Sequence, residues 1–266
     1  MWTWKEKNNA GGRLLYEPGN WGDILKAAWV TRAIQWLAET NGAARIRYVD
    51  TFAGAADYPA SPRVKQRLAL ASLPDVRMFA SDFLERGRWP SAARLAALAL
   101  PNGAVAVFDA DAERRETFRD AGIFRMLDAE CGWDAARDAA PDGTGLILLD
   151  PYDFLAEWRE RLPFVLRLAE RTNVLVYVYN RAARSREAFR DYRDFRNALD
   201  DARGGLRKVL GRAAADGFLP TAHHEMLFLP CPRVAESSAF EALREALADG
   251  AFRTAEGVTR AGAVDD

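Results

Sequence analysis

Residues 45–52, RIRYVDTF, and residues 145–150, GLILLD, are short apolar runs that end at or beside an aspartate. Runs of similar length and character lie at Val76–Asp82, Ala104–Asp109 and Asn173–Asn180. Continuous apolar runs of this length are typical of strands that are buried on both faces of a parallel sheet. The five runs therefore predict five core strands.

The segments between these runs have the composition or the periodicity of helices. A stripe of apolar residues at helical spacing runs along Leu155–Arg171, and Leu84–Leu100 and Ala112–Leu127 are rich in Ala, Arg, Leu and Glu. Asp23–Glu39 predicts a helix before the first strand, and Ser185–Leu210 predicts a long charged helix after the fifth. A further strand and a last helix are predicted at Ala222–Leu229 and Ala239–Ala248.

The alternation of strands and helices predicts an α/β fold with a doubly wound, mostly parallel sheet and helices on both of its faces. We expect residues 1–266 to form a single domain, with residues 1–44 as an N-terminal segment and helix ahead of the first core strand. In such a sheet the ligand crevice lies beyond the carboxyl ends of the strands. The candidate functional residues are therefore those that directly follow the predicted strands.

Composition limits the classes of function. Of the 266 residues, 49% are hydrophobic and 28% are charged, and the formal net charge is -1, so any nucleic acid would have to bind a local patch. Cys131 and Cys231 lie far apart, and His223 and His224 are the only histidines. This pattern predicts no metal site and no disulfide framework. No apolar segment reaches membrane-spanning length, and we expect a cytoplasmic protein that binds no membrane. The sequence leaves the oligomeric state open, with a monomer favoured.

Three of the predicted strand ends offer groups that could hold a cofactor. Gly54 follows the first strand and would let the backbone approach a ligand, although the G-x-G-x-x-G pattern of dinucleotide binders is missing. Asp82 ends the second predicted strand and could either accept hydrogen bonds from two ribose hydroxyls or cap the next helix. Asp109 and Asp111 end the third, where one carboxylate could meet an adenine amino group while the other caps the helix near Ala112.

The fourth strand leads into Asp150-Pro151-Tyr152-Asp153-Phe154, and its proline makes the chain leave the sheet there. The Asp150 carboxylate and the Pro151 carbonyl would then face the crevice, with the ring of Tyr152 or Phe154 beside them. Two acceptors for the N–H groups of an exocyclic amine favour a pyramidal nitrogen with a free lone pair, and a ring can stack a flipped-out base. The alternative is a strand-end turn with a core tyrosine.

At these residues the chain resembles a known family. Tyr16–Lys26 and Tyr48–Ala55 are similar to the bacterial 23S ribosomal RNA adenine-N6 methyltransferases, which carry a G-N-x-x-D-x-L-K segment ahead of a D-T-x-A-G-A strand end. Tyr58–Pro62 and the strand Leu146–Pro151 resemble further motifs of that family. The resemblance implies a class I methyltransferase fold of Rossmann-like type and S-adenosyl-L-methionine as the cofactor.

The resemblance also implies roles for individual residues. Gly54 and Asp82 would line the cofactor site with Lys26 nearby, and Asp150 would meet the target amine. We therefore predict three catalytic residues: Asp150, Pro151 and Tyr152. The predicted cofactor-binding residues are Lys26, Asp50, Phe52, Gly54, Asp82, Asp109 and Asp111. The predicted substrate-binding residues are Asn20, Trp21, Phe154, Arg186 and Arg190.

The chain departs from the family in its catalytic run. The family has D-P-P-Y, whereas this sequence has Asp150-Pro151-Tyr152-Asp153, without the second proline. A D-P-[FY] strand end also resembles a group of methyltransferase-like partners of three-cysteine-motif proteins. The departure motivates a second hypothesis, in which the fold is kept for binding or assembly and not for catalysis.

Arginines and aromatic residues alternate after the fifth strand. Arg186, Arg190 and Arg193 fall on one face of the predicted helix, where they could hold nucleic-acid phosphates. The alternative is a solvated helix in which these arginines pair with Glu187, Asp191 and Asp194.

The sequence favours a methyltransferase that acts on an exocyclic amine of an RNA or DNA base, with RNA preferred. A catalytically degenerate binding partner and a small-molecule methyltransferase remain as alternatives, the latter because the net charge is close to zero. A nicotinamide-dependent dehydrogenase is disfavoured because the triple-glycine turn is missing.

Overall fold

The computed structural model describes residues 18–71, 73–123, 125–180, 185–203, 209–214, 223–238 and 240–248. Its strands are β1 (Tyr48–Asp50), β2 (Asp57–Pro59), β3 (Arg88–Pro90), β4 (Val105–Val107), β5 (Arg125–Met126), β6 (Leu146–Leu149), β7 (Asn173–Asn180), β8 (Val209–Ala214) and β9 (His223–Leu229). Its α-helices are α1 (Trp21–Asn41), α2 (Val64–Ala71), α3 (Pro74–Glu85), α4 (Ala92–Ala99), α5 (Ala112–Asp120), α6 (Gly132–Ala139), α7 (Phe154–Ala169), α8 (Arg186–Arg203), α9 (Pro232–Ala235) and α10 (Phe240–Ala248). A short 3-10 helix, Ala43–Arg45, precedes β1.

Seven strands form the central sheet in the order β5-β4-β1-β6-β7-β9-β8. The first five are parallel to one another, and β9 runs antiparallel between β7 and β8. The remaining two strands, β2 and β3, pair with each other outside this sheet. The predicted doubly wound, mostly parallel α/β fold is confirmed.

The two faces of the sheet are covered by different helices. Leu146 and Leu148 of β6 point into a core built with α1 and α4, whereas Ile147 and Leu149 point into a second core built with α7 and α8. This alternation explains why β6 reads as an unbroken apolar run, because each of its residues lies in one core or the other. All four have 1% or less of their surface exposed.

The prediction of a strand at Val76–Asp82 is wrong, because this segment lies inside α3. Pro74 stands in the first turn of that helix with Asp75 beside it, an arrangement that favours a helix start. The buried residues Val76, Ala80 and Phe83 recur every three or four positions, which is the period of a helix and not of a strand. The segment therefore contributes nothing to the sheet.

Two predicted helices are each broken by a strand. Leu84–Leu100 contains Gly87 at φ 68 and then β3, and Ser91 starts α4 by accepting a hydrogen bond from the backbone N–H of Arg94. Ala112–Leu127 ends as a helix at Asp120, and β5 follows after Gly122 at φ 78. The sheet thus gains β5 at its edge, and the strand next to β1 on that side is β4.

The remaining predicted elements correspond to helices and strands of the structure with shifted ends. Ser185–Leu210 is helical only to Arg203, and Val209 already belongs to β8. The segment before residue 18 and the last dozen residues lie outside the described part of the chain. Among the helices that the structure describes, none combines the length and apolar character needed to cross a bilayer.

The side chain of Asn173 joins three parts of the fold. Its amide donates to the carbonyls of Gly143 and Gly145, at 3.3 and 2.8 Å, and its oxygen accepts from the backbone N–H of Cys231 at 3.1 Å. Asn173 is fully buried. We expect Asn173→Ala to lower the free energy of unfolding by about 2–4 kcal/mol, because buried backbone groups lose their partners.

Chemical denaturation of Asn173→Ala and wild type measures this loss. Asn102→Ala is the matched control, because Asn102 is exposed in a turn and its replacement should change stability by at most about 0.5 kcal/mol. Equal stability of the two variants would contradict the structural role of Asn173.

Candidate functional site

The carboxyl ends of three neighbouring strands bring aspartates to one edge of the sheet. Asp50 ends β1, which lies between β4 and β6, and Asp50 is in register with Val107 of β4 and Leu148 of β6. Asp109 follows β4 and Asp150 directly follows β6. The structure thus places Asp50, Asp109 and Asp150 at the carboxyl ends of three adjacent parallel strands.

Helix α1 contributes the cation of this site. Asn20 caps the helix by accepting hydrogen bonds from the backbone N–H groups of Gly22 and Asp23, so the residues of the first turns are held in fixed directions. Lys26 Nζ lies 2.7 Å from Asp150 Oδ2 and 3.2 Å from Asp23 Oδ1. The other oxygen of Asp23 accepts from the backbone N–H of Gly19 at 2.9 Å.

Burial and neighbouring charges shift the pKa values of this cluster. Burial, reinforced by the charge of Asp150, raises the pKa of Asp50 to about 7, against the hydrogen bond from Phe52 N–H and the charge of Lys26. The pKa of Asp150 is also raised by burial, although Lys26 opposes the shift. Burial disfavours the charged form of Lys26, yet Asp150 and Asp23 outweigh it and hold the pKa of Lys26 well above its usual range.

Three carboxylates surround the ammonium group of Lys26. Asp23 and Asp150 contact it, Asp50 lies nearby, and Asp23 and Asp50 are only 6% and 2% exposed. Desolvated carboxylates are costly unless a cation or hydrogen-bond donors pair with them. The carboxyl ends of β1 and β6 therefore carry a concentrated group of acids around one lysine of α1.

The turn after β1 requires a glycine. Gly54 has φ 67, and a Cβ built there would lie 2.0 Å from the hydroxyl oxygen of Tyr58. The Gly54 N–H donates to Asp109 Oδ2 at 2.9 Å, and the Ala55 N–H donates to the Tyr58 hydroxyl at 2.7 Å. The backbone of this turn is thus fixed and closely covered, as expected where a chain approaches a ligand.

The two acids that follow β4, Asp109 and Asp111, have different partners. Asp109 is 9% exposed, accepts from the Gly54 and Asp111 N–H groups, and lies 3.6 Å from the guanidinium of Arg114. Asp111 caps α5 through the N–H of Glu113, which confirms that one of this pair is a helix cap. Asp128 is exposed two residues beyond β5, the strand that pairs with β4 at the edge of the sheet.

The sequence did not single out Asp128, because β5 has only two residues, Arg125 and Met126, and neither is fully buried. The prediction that Asp82 ends a strand is wrong, because its segment is a helix. Asp82 lies exposed on α3, outside the sheet, and so loses the position on which its cofactor role depended.

Two of the predicted aromatic ligand contacts are core residues. Phe154 is 1% exposed and packs edge-on against Phe195 of α8, and Trp21 is 3% exposed at the start of α1. Each completes a hydrophobic core, Trp21 on one face of the sheet and Phe154 on the other. Tyr152, in contrast, is 87% exposed, and Phe52 is half-buried with its ring 5.4 Å from that of Trp133.

The arginine-rich helix α8 begins shortly after β7, on the same side of the sheet as the other strand ends. Arg186 and Arg190 are exposed on it. Asp191, expected as a partner within α8, instead pairs with Arg159 of α7 at 2.5 Å. Arg186 and Arg190 therefore remain candidates for binding a polyanion.

No family model matches the chain, and no curated protein does. Among solved structures, protein LPL1258 from Legionella pneumophila, described with the family model DUF519, has a TM-score of 0.63 at 14% identity, over 86% of this chain and 90% of that chain. An rRNA methylase from Streptococcus thermophilus has a TM-score of 0.36 at 12% identity, over 74% and 93%. The M. jannaschii protein TYW2 in complex with AdoMet has 0.33 at 8%, over 81% and 77%. The Legionella protein shares the fold, and the other two are only loosely similar in shape.

The buried Asp50 makes stability depend on pH. Its folded-state pKa of about 7 lies above the value of 3.8 expected in the unfolded chain, so its proton stabilises the folded state fully below pH 3.8 and this contribution is lost as the pH rises through 7. From pH 6 to pH 8 the loss amounts to about 1.4 kcal/mol. Asp50→Asn should remove this dependence and keep the bonds to Phe52 and Tyr48.

Denaturation of wild type and Asp50→Asn at pH 6 and pH 8 tests this expectation. The free energy of unfolding of Asp50→Asn, taken relative to that of wild type, should be higher at pH 8 than at pH 6. A constant difference between the two proteins across this range would show that Asp50 does not titrate there.

Proposed function

We propose that the protein is an S-adenosylmethionine-dependent methyltransferase that acts on an exocyclic amine of a nucleic-acid base, with RNA as the favoured substrate. One observation carries the proposal. Asp150 follows β6, the Gly54 turn follows the neighbouring strand β1, and two residues after Asp150 the side chain of Tyr152 is 87% exposed. One edge of the sheet thus carries the proposed acceptor, the proposed cofactor turn and an exposed aromatic ring.

The residues at this edge fit the cofactor. The excess of carboxylates around Lys26 suits a ligand with a sulfonium and an ammonium group, and the Gly54 turn leaves no room for a Cβ. Asp109 has acceptor capacity for ribose hydroxyls, and Asp128 could receive an adenine amino group. When bound, the cofactor supplies a methyl group on a good leaving group.

The chain's own contribution is to hold the target amine. The Asp150 carboxylate and the Pro151 carbonyl accept its two N–H groups, which favours a pyramidal nitrogen whose lone pair is free to attack. Tyr152 stacks the base and fixes the line of attack. Arg186 and Arg190 would contact phosphates of the nucleic acid, and the similarity of residues 16–26 and 48–55 to ribosomal RNA methyltransferases favours RNA.

A second candidate is a protein that binds the cofactor but transfers no methyl group. It is favoured by the 2.7 Å contact of Lys26 with Asp150, which already engages one acceptor oxygen, and by the single proline of the run Asp150-Pro151-Tyr152. A tritiated-methyl assay on total RNA, DNA and a metabolite extract separates the candidates. Label only in the extract would favour a small-molecule methyltransferase.

Cofactor binding is tested at Gly54 with a control of the same backbone conformation. Gly54 and Gly103 both have positive φ, 67 and 80, but a Cβ at Gly103 meets nothing within 4 Å. We expect Gly54→Ala to weaken S-adenosylmethionine binding about tenfold or more in calorimetry, because the turn and Tyr58 must move. Gly103→Ala should bind like wild type. Equal affinities of all three proteins would remove the Gly54 turn from the cofactor site.

The role of Asp150 is tested by separating transfer from binding. We expect Asp150→Ala to lower methyl transfer at least about 100-fold, because the amine loses an acceptor that acts in the transition state. The affinity for S-adenosylmethionine should change little. Tyr152→Ala should mainly raise the KM for nucleic acid, and Tyr152→Phe should restore it. An equal loss of transfer and cofactor binding in Asp150→Ala would assign Asp150 to structure.

A further inference from the structure

The ammonium of Lys26 rests on an aromatic ring as well as on its carboxylate partners. Lys26 Nζ lies 4.7 Å from the ring centroid of Tyr177. Val176 of β7 is in register with Leu149 of β6, so the next residue along β7, Tyr177, lies alongside Asp150. A cation over a tyrosine face is attracted by the ring, and more strongly when water is excluded. Tyr177 therefore lies where it can hold Lys26 against Asp150.

The position of the Tyr177 ring is itself fixed by β9. Its hydroxyl lies 2.5 Å from Nδ1 of His224, and the two rings are stacked with an interplanar angle of 22°. His224 is in register with Tyr179, and residues two apart on a strand share a face, so Tyr177, Tyr179 and His224 lie together under α1. His224 is 8% exposed.

The first turn of α1 is built to fit this pair. A Cβ at Gly22 would lie 2.4 Å from the Tyr177 hydroxyl oxygen and 2.6 Å from His224 Nδ1. Gly22 is helical, so its backbone could accept an alanine, which is the better helix former. The glycine is therefore explained by the close approach of Tyr177 and His224 and not by backbone conformation.

We propose that Tyr177 is a positioning residue, which holds the Lys26 ammonium on Asp150 and is itself held by His224. Resting on the proposed function, this assigns the pair the task of keeping Asp150 ionised as an acceptor for the target amine. Without the ring, Lys26 would leave Asp150 beside Asp23 and Asp50 with less compensation. Asp150 would then take up a proton at higher pH. Its other titratable neighbours are Asp23, Asp50 and Tyr48.

Chemical modification of Lys26 tests the positioning without cofactor or substrate. The protein is treated with limiting acetic anhydride, and the acetylation rate of Lys26 is measured by peptide mass spectrometry relative to Lys65, which is exposed on α2. We expect Tyr177→Leu to raise the Lys26 rate about tenfold over wild type. Tyr177→Phe, which keeps the ring, should stay within about threefold. A rise below threefold in folded Tyr177→Leu overturns the proposal.

Gly22→Ala provides a second route if Tyr177→Leu does not fold. The added methyl group displaces Tyr177 and His224 while leaving the charged groups unchanged, so the Lys26 rate should also rise at least threefold. An unchanged rate in this variant would equally overturn the proposal.

Methyl transfer gives a separate readout. In Tyr177→Leu the acid limb of the pH profile of kcat should move up by about one unit, with a smaller move in Tyr177→Phe. If wild type transfers no methyl group to any substrate while Lys26 acetylation responds to Tyr177→Leu, the proposed function fails and the positioning stands. If transfer is found and the acetylation rate does not respond, only the positioning fails.

Discussion

The ion pair between Lys26 and Asp150 joins the first helix of the fold to the middle of its sheet. It connects residues 124 positions apart and places a cation among the buried carboxylates Asp23, Asp50 and Asp150. Without it, these acids would carry an uncompensated cost of desolvation. The position of this ammonium group at the strand ends depends on three features of α1: the cap at Asn20, the close fit of Gly22 and the burial of the helix.

The sequence specified the middle of the sheet better than its edge. β1, β6 and β7 were found because their residues are buried on both faces, which makes them continuous apolar runs. Val76–Asp82 has a similar share of apolar residues, but its burial recurs at helical spacing, and β5 is too short to show any pattern. The second strand was therefore predicted at Val76–Asp82, whereas the strand beside β1 is β4, so Asp109 and not Asp82 follows the neighbouring strand.

The site was predictable where it depended on strand ends and unpredictable where it depended on packing between elements. Asp150 and Gly54 follow apolar runs and could be found from that position alone, and Lys26 entered through a family resemblance. Tyr177 and His224 come from strands far from α1 in sequence, and their meeting depends on the antiparallel register of β9. Nothing in their local sequence signals it, since Tyr177 reads as one more apolar residue of a buried strand.

The missing second proline in the run Asp150-Pro151-Tyr152 changes the structure less than the sequence suggests. Losing the second proline brings the aromatic residue one position closer to Asp150, yet the Tyr152 ring remains outside the core while Phe154 takes the core position. The acceptor carboxylate is also present, with 19% of its side chain exposed. In the structure Lys26 already contacts Asp150, so a target amine would have to share this carboxylate with Lys26. A carboxylate has about four acceptor positions, so one ammonium leaves room for an amine. Under the proposed function, methyl transfer would depend on Lys26 staying to one side of Asp150, which is the role inferred for the Tyr177 ring.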